Sequence, residues 1–107
     1  MVKKPGMTVR GSTTGRPLMV LLDALGQRWC MRILWELRSE SLTFRALQGR
    51  CEEISPTVLN NRLKQLRELK LIELSPEGYG LSDWGRKIGK PLAQLDVLAS
   101  EWAKELR

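Results

Sequence analysis

The chain has 107 residues, 42% of them apolar and 28% charged, with a net charge of +6, two cysteines and no histidine. That length suits one small domain with limited apolar burial, and no apolar run approaches the roughly 18–20 residues of a membrane span. The missing histidine removes the commonest general base and metal ligand, and no Gly-rich phosphate loop, G-x-S-x-G elbow or C-x-x-C pair is present, so catalysis, a cofactor and a bound metal are not expected.

The charge is uneven. Lys3, Lys4, Arg10 and Arg16 all precede the first acidic residue, which leaves 14 basic against 12 acidic groups for residues 17–107. Residues 1–16, rich in Gly, Thr, Lys and Arg, are read as a basic flexible leader. The alternative is an arm that folds onto a minor groove, a phosphate backbone or a partner subunit. The N-terminus lacks the uninterrupted apolar core of a secretory signal, so a cytoplasmic address is expected.

Residues 17–107 form the predicted domain. Leu18, Leu21, Leu22 and Leu25 recur at helical spacing, with Gly26 placed to end the helix in a left-handed conformation. A second helix runs over Trp29–Arg38, with Trp29, Ile33, Leu34 and Leu37 on one face. A short third helix over about Phe44–Gln48 is capped by Thr43 and ends before Gly49. The fourth is sharply marked. Ser55 is a good N-cap and Pro56 suits N1, where a missing N–H costs nothing. Leu59, Leu63, Leu66 and Lys70 fall on one stripe beside Leu69, while Thr57, Asn60, Asn61, Lys64 and Glu68 point away from it. Helices three and four, joined by a polar turn, have helix-turn-helix spacing. Amides, hydroxyls and lysines on the outer face can read base edges or hold phosphates in a major groove; a solvated helix face carries the same residues.

Leu71–Leu74 and Tyr79–Leu81 flank Ser75-Pro-Glu-Gly78, a two-stranded hairpin. Ser82 then caps a last helix in which Trp84, Ile88, Leu92, Leu95, Ala99, Trp102 and Leu106 recur every three or four residues. A stripe of about six turns exceeds what a small domain needs for its own core, so part of it is expected to meet a second subunit; packing on helix one is the competing reading. Pro91 should kink this helix, or the dimer helix begins after a break at Gly89. The order α-α-α-α-β-β-α is that of a winged helix, a mainly α fold with a small β-hairpin.

These pieces resemble the HxlR-type winged-helix regulators, relatives of the MarR group, over about Arg16–Leu106. The resemblance rests on Leu22-Asp-Ala-Leu-Gly-Gln-Arg-Trp29 before Ile33-Leu-Trp-Glu-Leu37, on Phe44-Arg-Ala-Leu47, on Ile54-Ser-Pro-Thr-Val-Leu59, and on Leu63-Lys-Gln-Leu-Arg-Glu-Leu69 with Leu71-Ile72. Tyr79-Gly-Leu-Ser-Asp-Trp-Gly85 and Glu101-Trp102 complete it. It implies a homodimeric transcription factor with helix four in the major groove, the hairpin at the flanking minor groove and the terminal helices in the dimer interface. Three departures stand out. Arg16 precedes Pro17 where many members carry a cysteine, so thiol sensing is not expected there. The wing is short and holds Glu77, a carboxylate that phosphates repel. Lys70 stands where the family usually has Gly at the end of the recognition helix.

The candidate base contacts are Thr57, Asn60, Asn61 and Lys64, with Gln65 on the flank and Arg62 as a phosphate ligand. Arg45 and Arg50 sit where helix-turn-helix proteins touch the backbone, or are solvated charges. Ser55 is a cap first and a phosphate contact second. Leu18, Leu22, Leu92, Leu95, Ala99 and Trp102 are the candidate dimer-interface residues. Cys30, on an amphipathic helix, and Cys51, beside Glu52 and Glu53 whose charges should raise its pKa, are read as structural thiols, with redox or electrophile sensing through Cys51 as the alternative. The four tryptophans are read as core and interface anchors. The predicted function is a homodimeric regulator of double-stranded DNA at an inverted-repeat operator, a repressor by preference, with room for a small-molecule effector between helix one and the dimer helix. A winged-helix module for protein or RNA is the alternative.

Overall fold

The structure, a computed structural model, describes residues 2–107. Five helices and one hairpin follow in the order α1 (Pro17–Leu25), α2 (Cys30–Glu36), α3 (Phe44–Arg50), α4 (Pro56–Glu68), β1 (Ile72–Ser75), β2 (Gly78–Leu81) and α5 (Asp83–Glu105). This is an α+β winged helix-turn-helix.

Three helix starts are set by local chemistry. The hydroxyls of Thr43, Ser55 and Ser82 accept from the amides of Ala46, Val58 and Gly85 at 3.1, 3.4 and 3.0 Å. Each satisfies an amide that the first turn would otherwise leave open. The start of α2 is different. Trp29 is its N-cap residue at φ +77°, and Gly26, expected to be left-handed, is right-handed at φ −77°. The half-buried Trp29 ring packs against the core, so burial of a large aromatic offsets the strain of a left-handed backbone. The third helix passes through Gly49 to Arg50 rather than ending before it.

The turn between α3 and α4 uses two more left-handed residues, Glu52 (φ +57°) and Glu53 (φ +56°). Its backbone groups are paired: Glu53 N–H donates to Gln48 O at 3.0 Å, and the Gln48 amide donates to Ile54 O at 2.9 Å. Arg32 braces the same corner, donating to Glu36 at 2.8 Å and to Arg50 O at 2.8 Å.

At its far end α4 closes through Lys70, at φ +60°. Lys70 N–H donates to Arg67 O at 2.9 Å and Leu71 N–H to Leu66 O at 3.0 Å, the paired bonds of a Schellman motif. The expected apolar stripe therefore ends one turn early: Leu59, Leu63 and Leu66 are buried, while Lys70 lies outside the helix and exposed.

The hairpin pairs Ile72 with Leu81 and Ser75 with Gly78, leaving Pro76 and Glu77 as the turn. Leu42 adds a further rung on the other side of β2, exchanging backbone bonds of 2.8 Å with Tyr79. That rung needs a glycine beside it. Gly78 lies at φ +117°, and a Cβ there would collide with the Leu42 carbonyl.

The core gathers Leu25, Ile33, Leu34, Leu37, Leu47, Ile54, Leu59, Leu63, Leu66, Leu71, Ile72 and Leu81, together with both cysteines. α5 contributes little to it. Gly85 is its single fully buried residue, pressed so closely on the Leu71 carbonyl that a side chain has no room. The helix runs without interruption past Gly89 and Pro91, so the expected break at Gly89 is absent.

Residues 2–16, expected as a flexible leader, lie folded against α1. Val2 and Val9 are buried, Val9 pairs with Ser12, and the Arg10 guanidinium meets Asp23 at 2.6 Å.

Candidate nucleic-acid interface

The inner face of α4 is locked: Leu59, Leu63 and Leu66 are each at most 1% exposed. Such a helix presents its outer face in a single orientation. Thr57, Asn60, Asn61 and Lys64 are all exposed, and among the described residues none of their side chains forms a hydrogen bond or ion pair. They remain free to meet an outside partner.

Two expected contacts are placed otherwise. Arg62 is half-buried and turned back on the fold: its Nε donates to the Arg28 carbonyl at 2.8 Å and its Nη1 to Gln65 Oε1 at 3.3 Å. A guanidinium committed to a carbonyl in the α1–α2 corner positions α4 rather than a phosphate. Gln65, also half-buried, is correspondingly tied on the flank. Arg50 is drawn into the corner above the helix-turn-helix turn, meeting Glu40 at 3.0 Å and Glu36 at 3.7 Å. Arg45 is exposed, a placement that a phosphate contact and a solvated charge share.

The structure also brings forward a residue that sequence reasoning did not single out. Arg28, whose carbonyl anchors Arg62, has an exposed side chain beside this flank of α4, with its guanidinium 5.7 Å from the Trp29 ring centroid. Only the Arg62 tether, a bond across 34 positions, reveals its place.

The wing adds no positive charge. Glu77 sits at its tip, accepting from the Ser75 hydroxyl at 2.9 Å, and Glu73 is exposed on β1.

Neither thiol is activated. Burial pushes the Cys30 thiol up, with Arg62 pulling partly the other way. Burial likewise raises Cys51, opposed by Arg32 and reinforced by Glu36 and Glu52. Of the two acidic neighbours expected to act, Glu52 does so in the expected direction, but desolvation is the larger cause.

Of the candidate interface residues, Leu18 is 63% and Trp102 64% exposed. Leu22, Leu95 and Ala99 are exposed as well, and Leu92 is half-buried. Leu98 and Leu106 extend the uncovered stripe along α5. The cavity beside α1 is bounded by Val2, Val20, Cys30, Gln65 and Leu66, not by α5, and its roughly 20 Å³ admits about one water. Among the described residues no group of His, Cys, Asp and Glu is placed to hold a metal, and no helix is long and apolar enough to cross a membrane.

The HxlR-like helix-turn-helix family matches residues 24–107, from the end of α1 to the last residue of α5 and beyond. The chain belongs to that family. Membership implies DNA binding and transcriptional regulation. One relative is the uncharacterized HTH-type transcriptional regulator YvaP of Bacillus subtilis (strain 168), 28% identical over 88 residues that span 76% of this chain and 82% of the relative. In fold, the chain is similar to the crystal structure of the quinone-bound YodB from B. subtilis, with a TM-score of 0.72 and 22% identity over 78% of this chain and 94% of that one. The expected HxlR-type resemblance and winged-helix fold are therefore shown.

Proposed function

We propose that this HxlR-like protein is a homodimeric, sequence-specific regulator that binds double-stranded DNA at an inverted repeat and represses by occluding promoter DNA. The observation that carries the reading is the outer face of α4. Thr57, Asn61 and Lys64 stand exposed and unpaired on a helix whose opposite face is fully packed, which suits entry into a major groove. Arg45 and the flanking Arg28 supply charge for the phosphates, and a cytoplasmic location accompanies the role.

Dimerisation is supported by α5. Leu95, Leu98, Trp102 and Leu106 leave an apolar stripe exposed on one face, the kind of patch that marks an interaction surface. A two-fold dimer places its half-sites about one helical turn apart. The space beside α1 holds about a single water, so a small-molecule effector would lodge elsewhere, where it would act by shifting the two recognition helices relative to each other.

The test is fluorescence anisotropy on duplex DNA from the protein's own upstream region against scrambled duplex, at physiological salt. A preference of about 10³-fold or more is expected for a specific complex; equal, weak and steeply salt-dependent binding to the two would contradict it.

The acidic wing favours a second reading, a winged helix for a protein or RNA partner. Replacing Asn61 and Lys64 together by Ala separates the two. Loss of operator binding by an intact dimer supports the first, whereas operator binding that survives shows that Asn61 and Lys64 are not its contacts.

A further inference from the structure

We infer that Asn61 reads an adenine in each half-site, so that specificity at the centre of the recognition helix turns on an A·T pair rather than a G·C pair. This rests on α4 being the major-groove helix proposed above.

The three buried leucines define the inner pole of α4. At 100° per residue, Thr57, Asn61 and Glu68 fall within about 30° of the opposite pole and Lys64 about 50° from it. Asn60, Arg62 and Arg67 lie roughly 90–115° away, toward the sides. Asn61 is therefore the one group at the apex that carries a donor and an acceptor side by side. Its amide oxygen can accept from adenine N6 while its NH₂ donates to N7. Guanine would set its O6 against the same amide oxygen, two acceptors facing each other.

The usual guanine reader is withheld. Arg62, the one arginine in the first three turns of α4, is spent on the Arg28 carbonyl and Gln65. Lys64 is a point charge on a flexible stem and meets phosphate as readily as a base. Glu68, at the outer pole of the last turn, is repelled by phosphates. The N-terminal part of α4 is thereby favoured for insertion, with Asn61 foremost.

The experiment is selection from randomised duplexes by the full chain and by its Asn61→Ala variant. The parent protein is expected to enrich a motif with at least one A·T pair per half-site whose replacement by G·C weakens binding about 5- to 150-fold. In the variant that preference should fall to near unity while the rest of the motif persists. An unchanged thermal midpoint is expected for the variant, because Asn61 is exposed and its side chain has no hydrogen-bond partner among the described residues. Base preferences that are the same in both proteins, or a motif centred on G·C whose preference depends on Arg62, would overturn the assignment while leaving operator binding intact. No enriched motif with the parent protein would overturn the operator reading itself, and the assignment with it.

Discussion

α4 and α5 are both amphipathic helices, and they end in opposite circumstances. The leucine face of α4 is sealed inside the chain that carries it, whereas the longer face of α5, over 23 residues, buries only Gly85 completely. Helical periodicity therefore marks a face without saying what covers it. The core closes with the first two turns of α5, near Gly85 and Ile88, so most of the remainder of that helix is surplus to the protomer.

The sharpest way to break this contrast is to cut into each face. Leu63→Ala should cost about 2–5 kcal/mol of stability, because it leaves a cavity under the recognition helix; urea denaturation showing less than 1 kcal/mol would mean that α4 is not the keystone described. Trp102→Ala should leave the fold intact and act on association instead. A central aromatic anchor is worth about 2–4 kcal/mol, or roughly 30- to 1,000-fold in the dimer dissociation constant. Sedimentation velocity should then report monomer at concentrations where the parent protein is paired. A parent protein that is itself monomeric would remove the explanation given for the exposed stripe.

A smaller effect probes the sealed side. Both thiols have raised pKa values, so the folded chain holds protons that the unfolded chain releases, and stability should be complete at neutral pH and fall as pH rises past the ordinary thiol value of about 8.5. Replacing both cysteines by Ala should flatten that part of the pH profile of urea midpoints. Smallest of all, Lys70→Gly should raise stability by about 0.5–1 kcal/mol by relieving the left-handed backbone at the end of α4. A loss would show that the Lys70 side chain does more than cap.

The features legible in sequence were those decided within a few residues. Thr43, Ser55 and Ser82 cap their helices as read, Pro56 opens α4, and the Ser75–Gly78 turn closes the hairpin. The left-handed Trp29 was missed because its strain is offset by burial among residues distant in sequence. Gly49 and Gly89 looked like stops and are not, since neither position needs a positive φ. Pro91 lacks an N–H, yet the neighbouring turns keep α5 continuous. The candidate interface was legible as a helix face but not in its roles. Nothing near Arg62 in the chain indicates that it bonds the carbonyl of Arg28, and nothing in residues 2–16 foretells the docking of Val2 and Arg10 on α1.

The junction between α4 and α5 has a mechanical consequence. Ser82 Oγ donates to the Lys70 carbonyl at 2.6 Å, Ser82 N–H donates to the Leu71 carbonyl at 3.0 Å, and Gly85 presses on Leu71. The start of the long helix is thus clasped to the end of the recognition helix, with the hairpin looped out from the joint. In a dimer joined through the distal half of α5, each recognition helix rides on the near end of a stiff arm. The gap between the two reading heads becomes a caliper setting, fixed by where the arms cross, and a change in crossing angle of a few degrees would retune the operator spacing that the protein accepts.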